Sequence, residues 1–208
     1  AWATHHIADA ADPDIGNARL REILHRHSDN AGSADATVRI AALGWLAEIE
    51  PVSGLRRVAM ADEAMILASK APVPQEVLNW LRVVRQIAAQ NEKNSSASSN
   101  LNAMLELSNE PAIASDALAA NTLRLMAARG RLATKLKQAP ALLNAVAQDN
   151  RLPTRHPLRQ LAWLDLAGKA AADGNRADAQ KYFGQTGLTE EQCALLGEAP
   201  TLKRTNVS

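Results

Sequence analysis

The chain is poor in the residues that staple small folds or build sheets. It contains one cysteine, Cys193, one tyrosine, one phenylalanine and four tryptophans in 208 residues, so that aromatics make up only 3%. A lone thiol excludes an internal disulfide framework. It suits a reducing compartment, or an exported protein whose partner cysteine lies elsewhere. A catalytic thiol would need a nearby histidine and an activating environment, and no such signature surrounds Cys193, which therefore reads as structural. β-branched and aromatic residues are sparse and never alternate for long, which argues against strands. No apolar run approaches the ~20 residues that span a bilayer, so direct membrane insertion is not expected. Charge of one sign is also missing: 23 basic residues face 22 acidic ones, for a net charge of +1. That balance argues against a surface that tracks phosphates, and Arg56-Arg57 and the Arg82/Arg85 pair read as solvated helix faces rather than a nucleic-acid patch. The chain opens at Ala1-Trp2 with neither an initiator methionine nor a basic-plus-apolar leader. The expectation is a processed mature protein or a cut fragment, in which His5-His6 carry little functional weight.

What is abundant is alanine and leucine, within a hydrophobic content of 47%. A chain of this length buries roughly 70% of its extended surface on folding and needs no metal or disulfide staple. Apolar spacing and stop signals divide the first half into four helices. The first opens at Asp12-Pro13 and runs to about residue 27, with Ile15, Leu20, Ile23, Leu24 and His27 along its inner face. The second spans about residues 34–50 with Val38, Ala42, Trp45, Leu46 and Ile49. The third, capped by Ser53, runs to about residue 69 and carries Leu55, Val58, Ala59, Met65 and Ile66. The fourth covers about residues 75–91, with apolar positions on two sides. Residues 94–100 are only Asn, Ser and Ala and read as a flexible linker. The Asn94-Ser95-Ser96 triplet fits a glycosylation acceptor, a pattern common by chance. The expected organisation is therefore 1–93, a linker over 94–100, and 101–208.

The second half predicts a short helix over about residues 101–107. A longer one is expected from Ser115 as N-cap to Arg129, ended by Gly130. A stretch over residues 132–147 should be kinked or split by Pro140, and a helix opens at His156-Pro157. The segment 163–183 is the clearest. Trp163, Leu166, Ala167 and Ala170 share a helix face, Gly174-Asn175 turn the chain, and Ala179 and Phe183 sit four apart on the next helix. This is close to the tetratricopeptide pattern, whose hairpins cannot bury their apolar faces alone and so require stacked neighbours. Extended backwards, the register sets Gly130 against Gly174, but Ala119 and Lys135 stand where Trp163 and Ala179 stand. One good repeat with degenerate neighbours is expected.

Residues that could carry chemistry do not converge. His25 and His27 are two apart, which on a helix points them to nearly opposite sides, whereas metal pairs use spacings of three or four. His156, before Pro157, reads as the end of a loop. Asp62-Glu63 and Glu190-Glu191 fan apart by ~100° on a helix. No phosphate-cradling glycine loop or nucleophile elbow is present. No catalytic residue, metal ligand or cofactor is expected. Trp45, Trp80 and Trp163 read as core anchors of helix pairs, with a groove-edge role for one of them as the functional alternative.

Residues 177–208 carry the most specific text: Ala177-Asp-Ala-Gln-Lys-Tyr-Phe-Gly-Gln-Thr-Gly-Leu-Thr-Glu-Glu-Gln-Cys-Ala-Leu-Leu196, then Pro200 and Asn206-Val207-Ser208. This resembles the segment preceding the carboxy-terminal domain of bacterial energy-transducer TonB-like proteins, in which a tetratricopeptide-like region ends in a Thr-Gly-Leu-Thr-x-Glu-Gln-Cys motif. Residues 151–159, Arg-Leu-Pro-Thr-Arg-His-Pro-Leu-Arg, resemble that helical region too. The resemblance implies a periplasmic setting with the leader removed, a TonB domain absent from this chain, and a Cys193 partner within that absent domain.

These readings give an all-α protein of about nine helices, stacked as antiparallel hairpins in a tetratricopeptide-like right-handed array. Its expected function is that of a non-catalytic periplasmic scaffold, whose protein or peptide partner in the cell envelope binds the face formed by the first helices of successive hairpins. Arg124, Arg159 and Asp165 are the candidate partner-binding residues. Trp163, Leu166, Ala167, Gly174, Ala179 and Phe183 pack the repeat. Two other functions stay open, a hydrolase or other enzyme with a site between the halves, and a structural spacer.

Overall fold

A computed structural model describes residues 13–29, 35–50, 53–90, 97–133 and 137–189. Within them lie ten helices and no strand: α1 (Pro13–Asp29), α2 (Ala36–Ile49), α3 (Gly54–Ala68), α4 (Gln75–Gln90), α5 (Ala97–Asn109), α6 (Pro111–Ser115), α7 (Ala117–Ala133), α8 (Ala139–Ala147), α9 (Pro157–Ala172) and α10 (Arg176–Thr186). The all-α fold is as expected. The extra element is α6, five residues long, with a proline in its first turn. The chain divides into two compact units, residues 1–103 and 104–208, and the division falls inside α5.

In the first unit α2 packs against α1, α3 and α4. Ile40 and Leu43 of α2 cluster with Ala64 and Ala68 of α3 and Leu81 of α4, while Ala47 clusters with Ala61 and Val84. Moving towards the C-terminus of α2 thus means moving back along α3 and forward along α4. The register makes α2 and α3 an antiparallel hairpin and sets α2 and α4 side by side in parallel, the arrangement of first helices in successive hairpins.

Alanine, rather than the large residues, forms much of this contact. Ala47, Ala61, Ala64 and Ala88 are fully buried, whereas Leu55 and Ile66, assigned from spacing to the apolar stripe of α3, are exposed. Small side chains let helix axes approach closely, and the close approach leaves bulkier neighbours at the margins.

In the second unit α7, α8, α9 and α10 pack in sequence and α7 also touches α9. Leu125, Ala128, Leu143, Val146, Ala162 and Leu166 form its core. Leu166, Ala167, Ala170 and Ala179 are buried, Phe183 is half-buried, and Trp163 stacks on Tyr182 of α10 with ring centroids 5.7 Å apart and planes 22° apart. Gly174 makes the turn at φ +80°, a conformation that an L side chain adopts only with strain.

Several boundaries differ from the sequence expectation, each for a local reason. Residues 97–100 are not linker but the first turn of α5, where the Asn100 amide donates to the Ala89 carbonyl at 3.2 Å. Gly130 does not end a helix. It lies within α7, and among the described residues the glycines that adopt the left-handed conformation of a helix stop are Gly174 and Gly187. Asp116, not Ser115, precedes α7, its carboxylate accepting from the Ala119 amide at 3.1 Å. The 132–147 stretch is split as expected, α7 reaching Ala133 and Pro140 sitting in the first turn of α8, where its missing N–H costs nothing. Ser53 occupies the N-cap position of α3 without a side-chain capping bond. Cys193, Glu190-Glu191, His5-His6 and the Asn94 triplet lie outside the described residues.

Candidate functional site

The first helices of the hairpins present the faces of interest. Asp35 caps α2 by accepting from the Thr37 amide at 3.0 Å, and the helix then buries Ile40, Ala42, Leu43, Gly44, Leu46 and Ala47. That leaves Val38, Ala41, Trp45 and Glu48, roughly one turn apart, on a single outward stripe. Trp45 is 45% exposed, which corrects its assignment to the core. Its ring meets that of Trp80 on α4 at 5.6 Å between centroids and a tilt of 54°. Trp80 is half-buried and lies directly over Gly44, where a Cβ would stand 2.3 Å from its ring.

Glu48 follows Trp45 by one turn, and Glu76 precedes Trp80 by one turn; both are exposed. Neither carboxylate forms an ion pair among the described residues. The nearby cations are engaged elsewhere. Arg39 of α2 pairs with Glu63 at 2.5 Å, and Arg85 of α4 with Asp62 at 2.5 Å, both on α3. Arg57 donates to the Ala47 and Glu48 carbonyls at 2.6 and 2.7 Å, closing the end of α2.

The residues singled out from sequence lie in the second unit, and two of them are occupied internally. Asp165 of α9 receives Arg129 of α7 in a two-pronged pair at 2.8 and 3.1 Å, with only 11% of its side chain exposed. Arg159 donates to the Ala147 carbonyl at 2.8 Å and the Leu152 carbonyl at 2.9 Å. It repeats on α9 what Arg57 does on α3, an arginine in the early turns of one helix closing the end of the helix before it. Arg124 is half-buried on α7 and makes no side-chain bond among the described residues. We expect Arg159→Ala to cost about 2 kcal/mol in urea unfolding, since two charge-assisted bonds to otherwise orphaned carbonyls are lost.

A second polar cluster was not visible in the sequence. The Asp149 carboxylate takes Nε and Nη2 of Arg151 at 3.0 and 2.6 Å and the amide of buried Asn121 at 2.7 Å. Arg151 also donates to the Ala114 carbonyl at 2.6 Å. The Arg151 guanidinium, then the Asn121 amide, hold the Asp149 carboxyl well below the usual carboxylate range against the opposing effect of burial. The cluster ties the α8–α9 loop to α6 and α7.

His156 caps α9 through Nδ1, which accepts from the Leu158 amide at 3.3 Å. His25 Nε2 lies 3.2 Å from Glu50 Oε2, and His27 is exposed. Among the described residues no three His, Cys, Asp or Glu side chains group as metal ligands, and no helix is long and apolar enough to cross a membrane. Of the Thr-Gly-Leu-Thr-x-Glu-Gln-Cys text, the described part closes α10. Gly187 adopts φ +64°, Thr186 Oγ1 donates to the Phe183 carbonyl, and the Leu188 amide donates to Thr186 Oγ1. Compared with family models, curated proteins and solved structures, the chain matches none.

Proposed function

We propose that the protein is a non-catalytic interaction scaffold that holds a peptide or helix of a partner on the first-helix face of its hairpins. The observation that carries this reading is the outward stripe of Val38, Ala41 and Trp45, extended by Trp80 of the neighbouring first helix. Adjoining apolar side chains left in water are costly to a fold that has no use for them, and tryptophan is the commonest anchor of binding energy. The likeness of residues 151–159 and 177–208 to the TonB-like helical region supports placing that partner in the cell envelope and the protein in the periplasm.

Selection of a random peptide library displayed on phage against the whole chain tests the scaffold. Enriched peptides should lose binding to the Trp45→Ala variant. A selection that enriches nothing, or peptides indifferent to Trp45→Ala, would leave the spacer role as the better account.

A further inference from the structure

We infer that the occupant of the Trp45–Trp80 face is a segment bearing lysine or arginine among apolar residues, a proposal that rests on the scaffold reading above. Three features point to a cation. The exposed indole of Trp45 offers the negative face of its π-system, and Trp80, tilted against it at 5.6 Å, extends that surface. Each tryptophan has an exposed carboxylate one turn away on its own helix, Glu48 after Trp45 and Glu76 before Trp80, within the roughly 5–6 Å that separates such neighbours. Because α2 and α4 run parallel with Gly44 beneath Trp80, the two carboxylates fall at opposite ends of the tryptophan pair, offset by about 12 Å along the helix direction.

Sign is what turns this apolar face into a selective one. Arg39 and Arg85 are neutralised by Glu63 and Asp62, while Arg57, held by the carbonyls ending α2, keeps its charge near Glu48 and leaves Glu76 as the carboxylate of the face without a described ion-pair partner or a cation at its own backbone. A basic segment gains the Glu76 carboxylate, the partly compensated Glu48 carboxylate and a ring to cover, whereas an acidic one meets like charge at Glu76.

The test uses two fluorescein-labelled octapeptides, alternating Leu-Lys and alternating Leu-Glu, titrated by anisotropy into the whole chain at physiological ionic strength. The Leu-Lys peptide should bind about tenfold more tightly than Leu-Glu. The double variant Glu48→Gln/Glu76→Gln should erase most of that preference, with its helical circular dichroism unchanged because both side chains are exposed. Trp45→Ala should weaken both peptides. Equal binding of the two peptides with dependence on Trp45 would overturn the cationic occupant and leave the scaffold standing. A Leu-Lys preference that survives the double variant would likewise overturn it, as non-specific attraction. Binding of neither peptide, or binding that ignores Trp45, would remove both the occupant and the face.

Discussion

Gly44→Ala should destabilise the first unit by about 1–3 kcal/mol, although a helix scale alone gives the opposite sign. Gly44 lies in the interior of α2, where alanine is better than glycine by about 0.8–1 kcal/mol. Against that stands the space itself. A Cβ would lie 2.3 and 2.5 Å from Cη2 and Cζ3 of Trp80 and 2.8 Å from Cδ2 of Leu81. The Trp80 ring cannot yield one atom at a time. It is a rigid plate held between Gly44 and Trp45, so the whole indole must swing and give up its contact with Trp45. Overpacking of this kind costs about 1–3 kcal/mol and more when a buried neighbour such as Leu81 must follow.

Two readouts separate this cause from a general loss of helix. Near-ultraviolet circular dichroism from the tryptophan pair should change in Gly44→Ala before any loss of far-ultraviolet signal. Trp80→Leu in the Gly44→Ala background should cost less than Trp80→Leu alone, because it removes the ring that the new Cβ strikes, whereas a general loss of helix would leave the two changes additive. Peptide binding should fall with Gly44→Ala as well, because the same shift removes half of the proposed face. A Gly44→Ala protein as stable as the parent would mean that Trp80 does not press on α2.

Helix count and class were legible because periodicity and punctuation report local events. Pro157 behind His156 and Gly174 before Asn175 announce an opening and a turn, and each needs only its own neighbours to do so. Gly130 carried the same kind of signal and misled, since a glycine ends a helix only when it turns left-handed, and packing of α7 on α8 and α9 keeps it helical. Core assignment was less legible. Spacing favoured the bulky Val38, Trp45, Leu55 and Ile66, while burial went to Ala47, Ala61, Ala64 and Ala68. In an alanine-rich chain the periodic apolar face is wider than the contact, and the partner helix selects the small residues within it. The candidate site was least legible of all. Trp45 and Trp80 meet across 35 positions of sequence, and nothing local tells that Gly44 is the floor beneath the second ring. Arg159 and Asp165 looked free for a partner because their spacing set them off the apolar stripe. Their internal partners, the Ala147 and Leu152 carbonyls and Arg129, lie on other elements.

The Asp149 cluster predicts a specific acid sensitivity. Its carboxylate is only 9% exposed and is held in the charged form by Arg151 first and Asn121 next, so its folded pKa lies below the ordinary value. For a carboxyl shifted downwards, the stabilisation is complete above the unfolded pKa of about 3.9 and drains away as pH falls from there towards the folded value. Asp149→Asn keeps the shape and removes the titration. At pH 7 it should cost about 2–3 kcal/mol, less than a fully buried pair would because Arg151 is 40% exposed and partly screened by water. The gap between parent and variant in urea unfolding should then shrink by about 1 kcal/mol between pH 5 and pH 3. Asp149→Ala should cost more at every pH. It leaves the fully buried Asn121 amide with the Ala117 carbonyl as its remaining described partner and releases Arg151 from the contact that holds it against Ala114. Parallel pH profiles for parent and Asp149→Asn would show that Arg151 does not hold the charge.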